Sequence, residues 1–290
     1  MPALGPDDQR GAVTILVLWG MVLVLILLAA TGFTTRAEVR IAENAVASSR
    51  ARHAAEAGTQ LGLSRLLQRR AGGTAIFDGA PEQWQDGATK VAISIVDEAG
   101  KIDLNQAPLE LLAGLFVAIG RKSEEAILLA CNIIERRGGS DAGCPLAVDE
   151  SAPKRTRPFA APEELAQLPG IGEDTYAAIA DNVTVASAAS AIDPAVASRT
   201  ALLAIPGATP DLVDAYLSHR EMWRDLAPAA DSELILPAAR YLMLTPARDF
   251  TIKAVATTAE GARYRADLQL RLTGLASRPF EVLAWRTPPL

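Results

Sequence analysis

The stretch Ala12–Ala30 reads AVTILVLWGMVLVLILLAA and contains no charged side chain. In a helix that rises about 1.5 Å per residue, roughly 20 such residues cross the hydrocarbon core of a bilayer, which is about 30 Å thick. The apolar region of a secretory signal is usually only about 7–15 residues long. The stretch is longer than that, so the sequence predicts a membrane helix that is retained in the mature protein.

The segments on either side extend this prediction. Residues 1–11 (MPALGPDDQRG) form a short polar leader that ends in Arg10-Gly11. Residues 34–70 are rich in Ala, Arg, Glu and Leu and contain no proline, so the helix is expected to continue beyond the membrane. Gly58 and Gly62 each weaken a helix by about 1 kcal/mol relative to Ala, and Gly72-Gly73 is expected to end it.

Four later segments have the alternating, β-branched or aromatic pattern of strands. They are residues 91–96, 250–257, 264–272 and 280–285, with a hairpin turn expected at Glu260-Gly261. One strand precedes residue 100 and three follow residue 249. The sequence therefore predicts an antiparallel sheet that is interrupted by a long insertion.

The insertion is predicted to be helical and carries a repeated phrase. The stretch at residues 103–112 (DLNQAPLELL) opens it, with Asp103 or Asn105 placed to cap a helix. Two later stretches, residues 159–172 and 192–207, each predict a short helix that closes on Pro-Gly before another helix begins. Glycine permits the positive φ of such tight turns. The predicted turn residues are Pro169, Gly170, Gly172, Pro206 and Gly207.

The first of these turns, LPGIG at residues 168–172, resembles a helix-hairpin-helix, a motif that in other proteins holds nucleic-acid phosphate at a helix start. Here the next helix starts with Glu173-Asp174, and residues 159–184 contain five acidic side chains and no Lys or Arg. Carboxylates at a helix start repel phosphate. The net charge of −6 also argues against a general nucleic-acid binder. The motif is therefore interpreted as packing.

Few residues are of the types, and stand in the patterns, that bind metals, form disulfides or catalyse reactions. The chain has two cysteines, Cys131 and Cys144, and two histidines, without a CxxC or a His cluster, so a zinc site is not expected. In an oxidising compartment the cysteines are expected to form a disulfide worth about 3 kcal/mol; otherwise they are two buried thiols. Nucleophile-elbow, P-loop, dinucleotide, HExxH and EF-hand patterns are absent from the sequence, so we predict that the protein is not an enzyme.

Taken in order, these segments resemble the K-type minor pseudopilins of type II secretion (general secretion pathway protein K). The resemblance runs from the leader through the apolar helix, the KIDLN-x-AP-x-ELL helix and the EEL-x-x-LPGI turn to strands ending in VL-x-WR, here Val282–Arg286. It implies that prepilin peptidase cuts after Gly11, within Arg10, Gly11 and Ala12. Most pilin-like proteins have Glu at the fifth mature position. K-type members lack this Glu, and Leu16 stands there.

The resemblance implies an α+β fold: a pilin-like long N-terminal transmembrane helix on an antiparallel sheet, with a large all-α, helix-hairpin-helix-like insertion. The expected boundaries are a leader at 1–11, a transmembrane part at 12–34, a periplasmic helix and first strands at 35–100, the insertion at 101–240 and the last strands at 241–290. The expected location is the bacterial inner membrane, single-pass, with the soluble domain in the periplasm. This orientation comes from the resemblance, because the charges flanking the helix do not set it.

The resemblance also implies the role and the partners. The protein would initiate the pseudopilus at its tip and support the export of folded exoproteins. Its partners would be I-type and J-type minor pseudopilins, the major pseudopilin, the inner-membrane assembly platform and prepilin peptidase, without nucleic acid. Some relatives bind calcium, so calcium is possible here although no ligands can be assigned. Two alternatives stay open: a membrane-anchored helix-hairpin-helix protein that binds nucleic acid, and a tip subunit of a type IV pilus.

Overall fold

The structure is a computed structural model that describes residues 6–71, 76–144, 156–222, 239–243 and 248–288. The helices, in chain order, are α1 (Pro6–Ala71), α2 (Leu109–Ala118), α3 (Ser123–Arg136), α4 (Glu173–Ile179), α5 (Arg199–Leu203) and α6 (Pro210–Met222). The strands are β1 (Glu82–Asp86), β2 (Thr89–Asp97), β3 (Ile102–Asp103), β4 (Val183–Thr184), β5 (Asp249–Thr257), β6 (Arg263–Leu275) and β7 (Arg278–Arg286). Short 3₁₀ helices span Glu98–Gly100, Pro162–Gln167 and Ala180–Asn182.

Helix α1 is one continuous helix of 66 residues, about 100 Å long at 1.5 Å per residue. It ends at Ala71, directly before the predicted Gly72-Gly73 stop. Its second part packs on the sheet through a buried stripe that begins with alanines (Ala47, Ala51, Ala54 and Ala55) and continues with Leu63 and Leu66. The long helix that the sequence predicted is therefore present and lies against a sheet, as in a pilin-like fold.

The sheet is antiparallel and has the order β1-β2-β5-β6-β7. The predicted strands are all present. The sequence missed β1, whose EQWQD sequence is polar and gives little β signal. Strands β2 and β5 are hydrogen-bonded neighbours, from Lys90 opposite Thr257 to Asp97 opposite Phe250, although residues 98–248 separate them along the chain. The insertion thus leaves from one strand and returns to the next.

One face of the sheet packs on α1. Alternate residues of β2, namely Val91, Ile93 and Ile95, are buried there with Phe250 and Ile252 of β5. The alternation arises because successive strand residues point to opposite faces. This gives the molecule one hydrophobic core, formed by α1 and the sheet.

The insertion has a second core of its own. Helices α2 and α3 form a helical hairpin, and α5 and α6 form another, joined by α4 and the short parallel pair β3–β4. The largest fully buried side chains there are Ile102, Leu104, Leu111, Leu112, Leu115, Phe116, Ile133, Leu165 and Ile171. The helical insertion that the sequence predicted is thus observed as a unit with its own apolar centre.

Candidate assembly interface

The first part of α1 presents a long apolar surface. From Val13 to Ile26 its large apolar side chains are 42–71% exposed, with Leu16 at the upper limit. Val39, Ile41 and Val46 are also exposed, and burial against the sheet begins only at Ala47. So much exposed apolar helix marks a surface that contacts lipid or other proteins.

The sequence-predicted processing residues lie in this part of α1. Arg10, Gly11 and Ala12 belong to the helix, and their side chains are outside the described part of the structure. Among the residues that the structure describes, no helix is both long and apolar enough to cross a membrane. The membrane anchor and the cleavage site therefore stay predictions.

The second part of α1 approaches the sheet closely at two glycines. A Cβ atom built on Gly58 would lie 2.8 Å from Val91 Cγ1, and one built on Gly62 would lie 2.6 Å from Ile252 Cγ2. Both distances are shorter than atoms tolerate, so these positions admit only glycine at this separation. From the sequence, the two glycines were expected only to lower the stability of the helix. In the structure they allow α1 to pack closely on the sheet.

The same contacts fix the direction of the strands relative to α1. Gly58 lies over Val91, and Gly62, one turn later, lies near Ile93, so β2 runs in the same direction as α1. Strand β2 therefore ends, at Asp97, on the side away from the apolar first part of α1. Because the insertion starts there, it lies at the end of the molecule that is distal from the N-terminus.

The predicted turns have the expected backbone at two of three glycines. Gly170 and Gly207 have φ of +81° and +86°, which a side chain would strain. Gly172 instead has φ −77° and ψ 177° and precedes α4 as its N-cap. Gly172 therefore ends the turn and starts the next helix without needing a positive φ.

The two cysteines are joined in the structure. Cys131 lies on α3 and Cys144 in the following loop, with a disulfide between them and their Cα atoms 5.6 Å apart. The bond ties the end of the first helical hairpin to the chain that follows it. Both sulfurs lie beside the core of the insertion.

Asp103 and Asn105 do not cap α2, contrary to the prediction. The cap residue is Pro108, without a side-chain hydrogen bond. Asp103 is buried and instead accepts bonds from the amide of Asn105 (2.8 Å), the hydroxyl of Ser187 (3.1 Å) and the amide of Ala188 (2.9 Å). Burial raises the pKa of Asp103, and these bonds offset part of that effect. Two of these partners, Ser187 and Ala188, lie too far along the chain for a local pattern to show them.

The first and the last copies of the repeated phrase fold in the same way. In the last copy, at residues 192–207, Asp193 Oδ1 accepts the amide of Ala195 (2.9 Å), as Asp103 does with Asn105 in the first. An arginine in or directly after the second helix of each hairpin then holds the loop. Arg137 donates to the carbonyls of residues 104 and 107 (2.9 and 2.8 Å), and Arg220 donates to those of residues 194 and 197 (2.8 and 2.6 Å). Sequence inspection found the phrase but missed both arginines.

Three of the five acidic side chains around the first turn have basic partners in the structure. Glu164 pairs with Arg136 (2.7 Å), and Glu163 pairs with Arg286 (3.0 Å). Asp181 pairs with Lys253 at 2.6 Å, and the hydrogen bond from Lys253 lowers the pKa of Asp181. These acids therefore hold protein contacts together. Within the described ranges, no group of three or more His, Cys, Asp or Glu side chains is placed to hold a metal ion.

A long helix on an antiparallel sheet that carries a helical insertion is a pilin-like arrangement. The chain is similar in structure to a chain in the crystal structure of the GspK-GspI-GspJ complex from the type 2 secretion system of enterotoxigenic Escherichia coli. The TM-score is 0.53 and the sequence identity 15%, and the match covers 88% of this chain and 99% of that chain. No family model and no curated protein matches the sequence. At this identity the likeness shows a shared fold, a long helix on an antiparallel sheet that carries a helical insertion.

Proposed function

We propose that this chain is a K-type minor pseudopilin that acts in assembly and not in catalysis. The observation that carries the proposal is the helical insertion between the neighbouring strands β2 and β5 of a pilin-like sheet. The similar chain comes from a complex of GspK, GspI and GspJ, which agrees with I-type and J-type pseudopilins as partners here.

The proposed place of the subunit is the tip of the pseudopilus, where it would start assembly and support the export of folded exoproteins. The insertion lies at the end distal from the apolar helix, where a regular shaft would need room for the next subunit. In pilin-like proteins a Glu at the fifth mature position is expected to pair with the N-terminal amine of a neighbouring subunit, because an acid in a membrane is costly unless it is paired. Leu16, which stands there, has no carboxylate, so this subunit would not make that contact. A subunit with these two features fits at the top of a filament.

In this proposal prepilin peptidase removes residues 1–11, and the exposed apolar surface of α1 lies first in the inner membrane and then among the helices of other pseudopilins. The soluble part faces the periplasm. The major pseudopilin and the assembly platform then extend the filament beneath the tip.

Partner capture tests the proposed role. The tagged full chain, extracted in detergent, is mixed with I-type and J-type minor pseudopilins from the same genome, and with the minor pilins of a type IV pilus as the comparison. We expect a stable complex with the I-type and J-type proteins. Capture of only the type IV pilins, or of neither set, would overturn the assignment.

Processing tests the leader. Gly11→Val should block removal of residues 1–11 and abolish secretion, because the peptidase site requires the glycine. Gly20→Val is the matched control, since a Cβ atom at Gly20 meets nothing within 4 Å in this structure. The control should be cut normally. Normal cleavage of Gly11→Val, measured by mass spectrometry of the N-terminus, would contradict the proposal.

A further inference from the structure

The two cores of the molecule meet at a polar junction. Within the described parts of the chain, the buried cluster of the insertion and the buried cluster of α1 and the sheet have no residue in common. Between them lies a cavity of about 240 Å³. Its charged lining residues are Glu98, Lys101, Glu163, Asp181, Lys253, Arg265, Asp267 and Arg286. Apolar packing therefore holds each unit together, and polar contacts join the two, among them the bond from Arg271 of β6 to the carbonyl of Ala186 (3.2 Å).

One link across the junction is deeply buried. Glu98 follows β2 and has a side chain that is 2% exposed. Its Oε1 accepts from Lys101 Nζ at 2.6 Å and from the Thr251 hydroxyl of β5 at 2.7 Å. Burial is the largest influence and acts to raise the pKa of Glu98, but the Lys101 ammonium and the hydroxyls of Thr184 and Thr251 together outweigh it and hold that pKa below its ordinary value. Because it is charge-assisted, this link is stronger than a hydrogen bond between neutral groups.

Two further links lie nearer the surface and have the same arrangement of charges. Asp181 of the insertion meets Lys253 of β5 at 2.6 Å, with the aspartate side chain 82% exposed and the lysine side chain 21% exposed. Glu163 of the insertion meets Arg286 of β7 at 3.0 Å, with both side chains at least one third exposed. In both pairs the acid belongs to the insertion and the base to the sheet. Exposed ion pairs of this kind stabilise by little and are screened by salt.

We propose that this junction is a charge-held hinge. The insertion swings relative to the sheet about the buried Glu98 link when the pairs Asp181–Lys253 and Glu163–Arg286 separate, and both cores stay folded during the motion. Polar contacts between units within one chain permit relative motion by default, because little apolar area is lost when they open. The hinge depends only on the fold, so it stands whether or not the chain assembles into a pseudopilus.

The size of the effect follows from the exposure of the pairs. Each exposed pair is worth about 0.2–1 kcal/mol, and 1.4 kcal/mol is a factor of ten in population. Losing both pairs therefore raises the population of the open state relative to the closed one roughly 2- to 30-fold. In 1 M salt the screening length falls to about 3 Å, which weakens both pairs without any substitution.

The experiment measures a distance across the junction in the full chain in detergent. Donor and acceptor dyes are attached through non-natural amino acids at Asp86, the last residue of β1, and at Asp211, at the start of α6; both residues are exposed. Single-molecule energy transfer then reports the distribution of distances at low salt, in 1 M salt, and in Lys253→Glu. We expect one population at low salt and a second population in the other two conditions.

Two variants make the result specific. Adding Asp181→Lys to Lys253→Glu restores an opposite-charge pair and should restore the single population. Arg199→Glu breaks a comparable exposed pair inside the insertion, Arg199–Asp214 at 2.6 Å, and should leave the distance unchanged. A single, unshifted distance in both 1 M salt and Lys253→Glu would overturn the hinge. So would an equal shift in Arg199→Glu. The salt series needs no variant, so a misfolded mutant does not affect it.

Discussion

Gly62→Ala sets two physical effects against each other. In an exposed helix this change stabilises by about 1 kcal/mol, because glycine loses more backbone entropy on folding. In this structure the new Cβ would lie 2.6 Å from Ile252 Cγ2 and 3.1 Å from Ile93 Cγ2. Overpacking of a core of this kind costs about 1–3 kcal/mol. We therefore expect a net loss of about 1 kcal/mol, opposite in sign to the helix propensity.

The measurement is urea unfolding of the full chain in detergent, followed by circular dichroism and by the fluorescence of Trp84, which packs against the core of α1 and the sheet. Ala57→Gly is the matched control. Ala57 is exposed on the same helix, so this change measures the glycine cost without any packing. If Gly62→Ala stabilises the protein by as much as Ala57→Gly destabilises it, α1 does not contact the sheet as described.

Four shorter predictions follow from other parts of the structure. Arg137→Gln removes two charge-assisted bonds to loop carbonyls and should lower the free energy of unfolding by about 1.5–3 kcal/mol, whereas Arg199→Gln, at an exposed pair, should cost under about 1 kcal/mol. Cys131→Ser should lower the stability in non-reducing urea titrations by about 3 kcal/mol in the chain-entropy model, and reductant should have the same effect on the wild type. Lys253 lowers the pKa of Asp181 from its ordinary value of 3.8. The pair therefore stabilises the fold above that pH, and its contribution disappears as the pH falls through the lowered pKa. The difference in unfolding free energy between wild type and Asp181→Asn should accordingly vanish in acid. Duplex DNA should not be retarded in a gel shift at moderate salt, because the acids near the first turn repel phosphate, and a tight complex would contradict this.

Patterns that repeat over many residues made the fold predictable. The proline-free helix and the alternating strands have signals that depend only on neighbours in sequence, and each appears near its expected bounds. Strand β1 gave no such signal, because an edge strand that is half exposed can be built from polar residues such as Glu82 and Gln85.

The candidate site was less predictable, because its geometry depends on partners that are distant in the chain. Asp103 looked like a helix cap since caps are local, yet two of its hydrogen-bond partners, Ser187 and Ala188, lie more than 80 residues away. The interpretation that the acids near the first turn disfavour phosphate contact stays a prediction. The sequence could not reveal Lys253 as the partner of Asp181, because only the folded sheet brings the two together.

The separation of β2 from β5 along the chain also affects how the protein is made. At 5–20 residues per second, roughly 8 to 30 s pass between the synthesis of β2 and that of its partner strand. During that interval the backbone edge of β2 that will receive β5 has no native partner, and such edges recruit other chains. The helical insertion has a core of its own and is complete in sequence before β5 is made, so it can fold while the ribosome is still working. A nascent chain of this protein can therefore carry a folded insertion next to a sheet that still lacks β5, β6 and β7. That is the stage at which it most needs a chaperone.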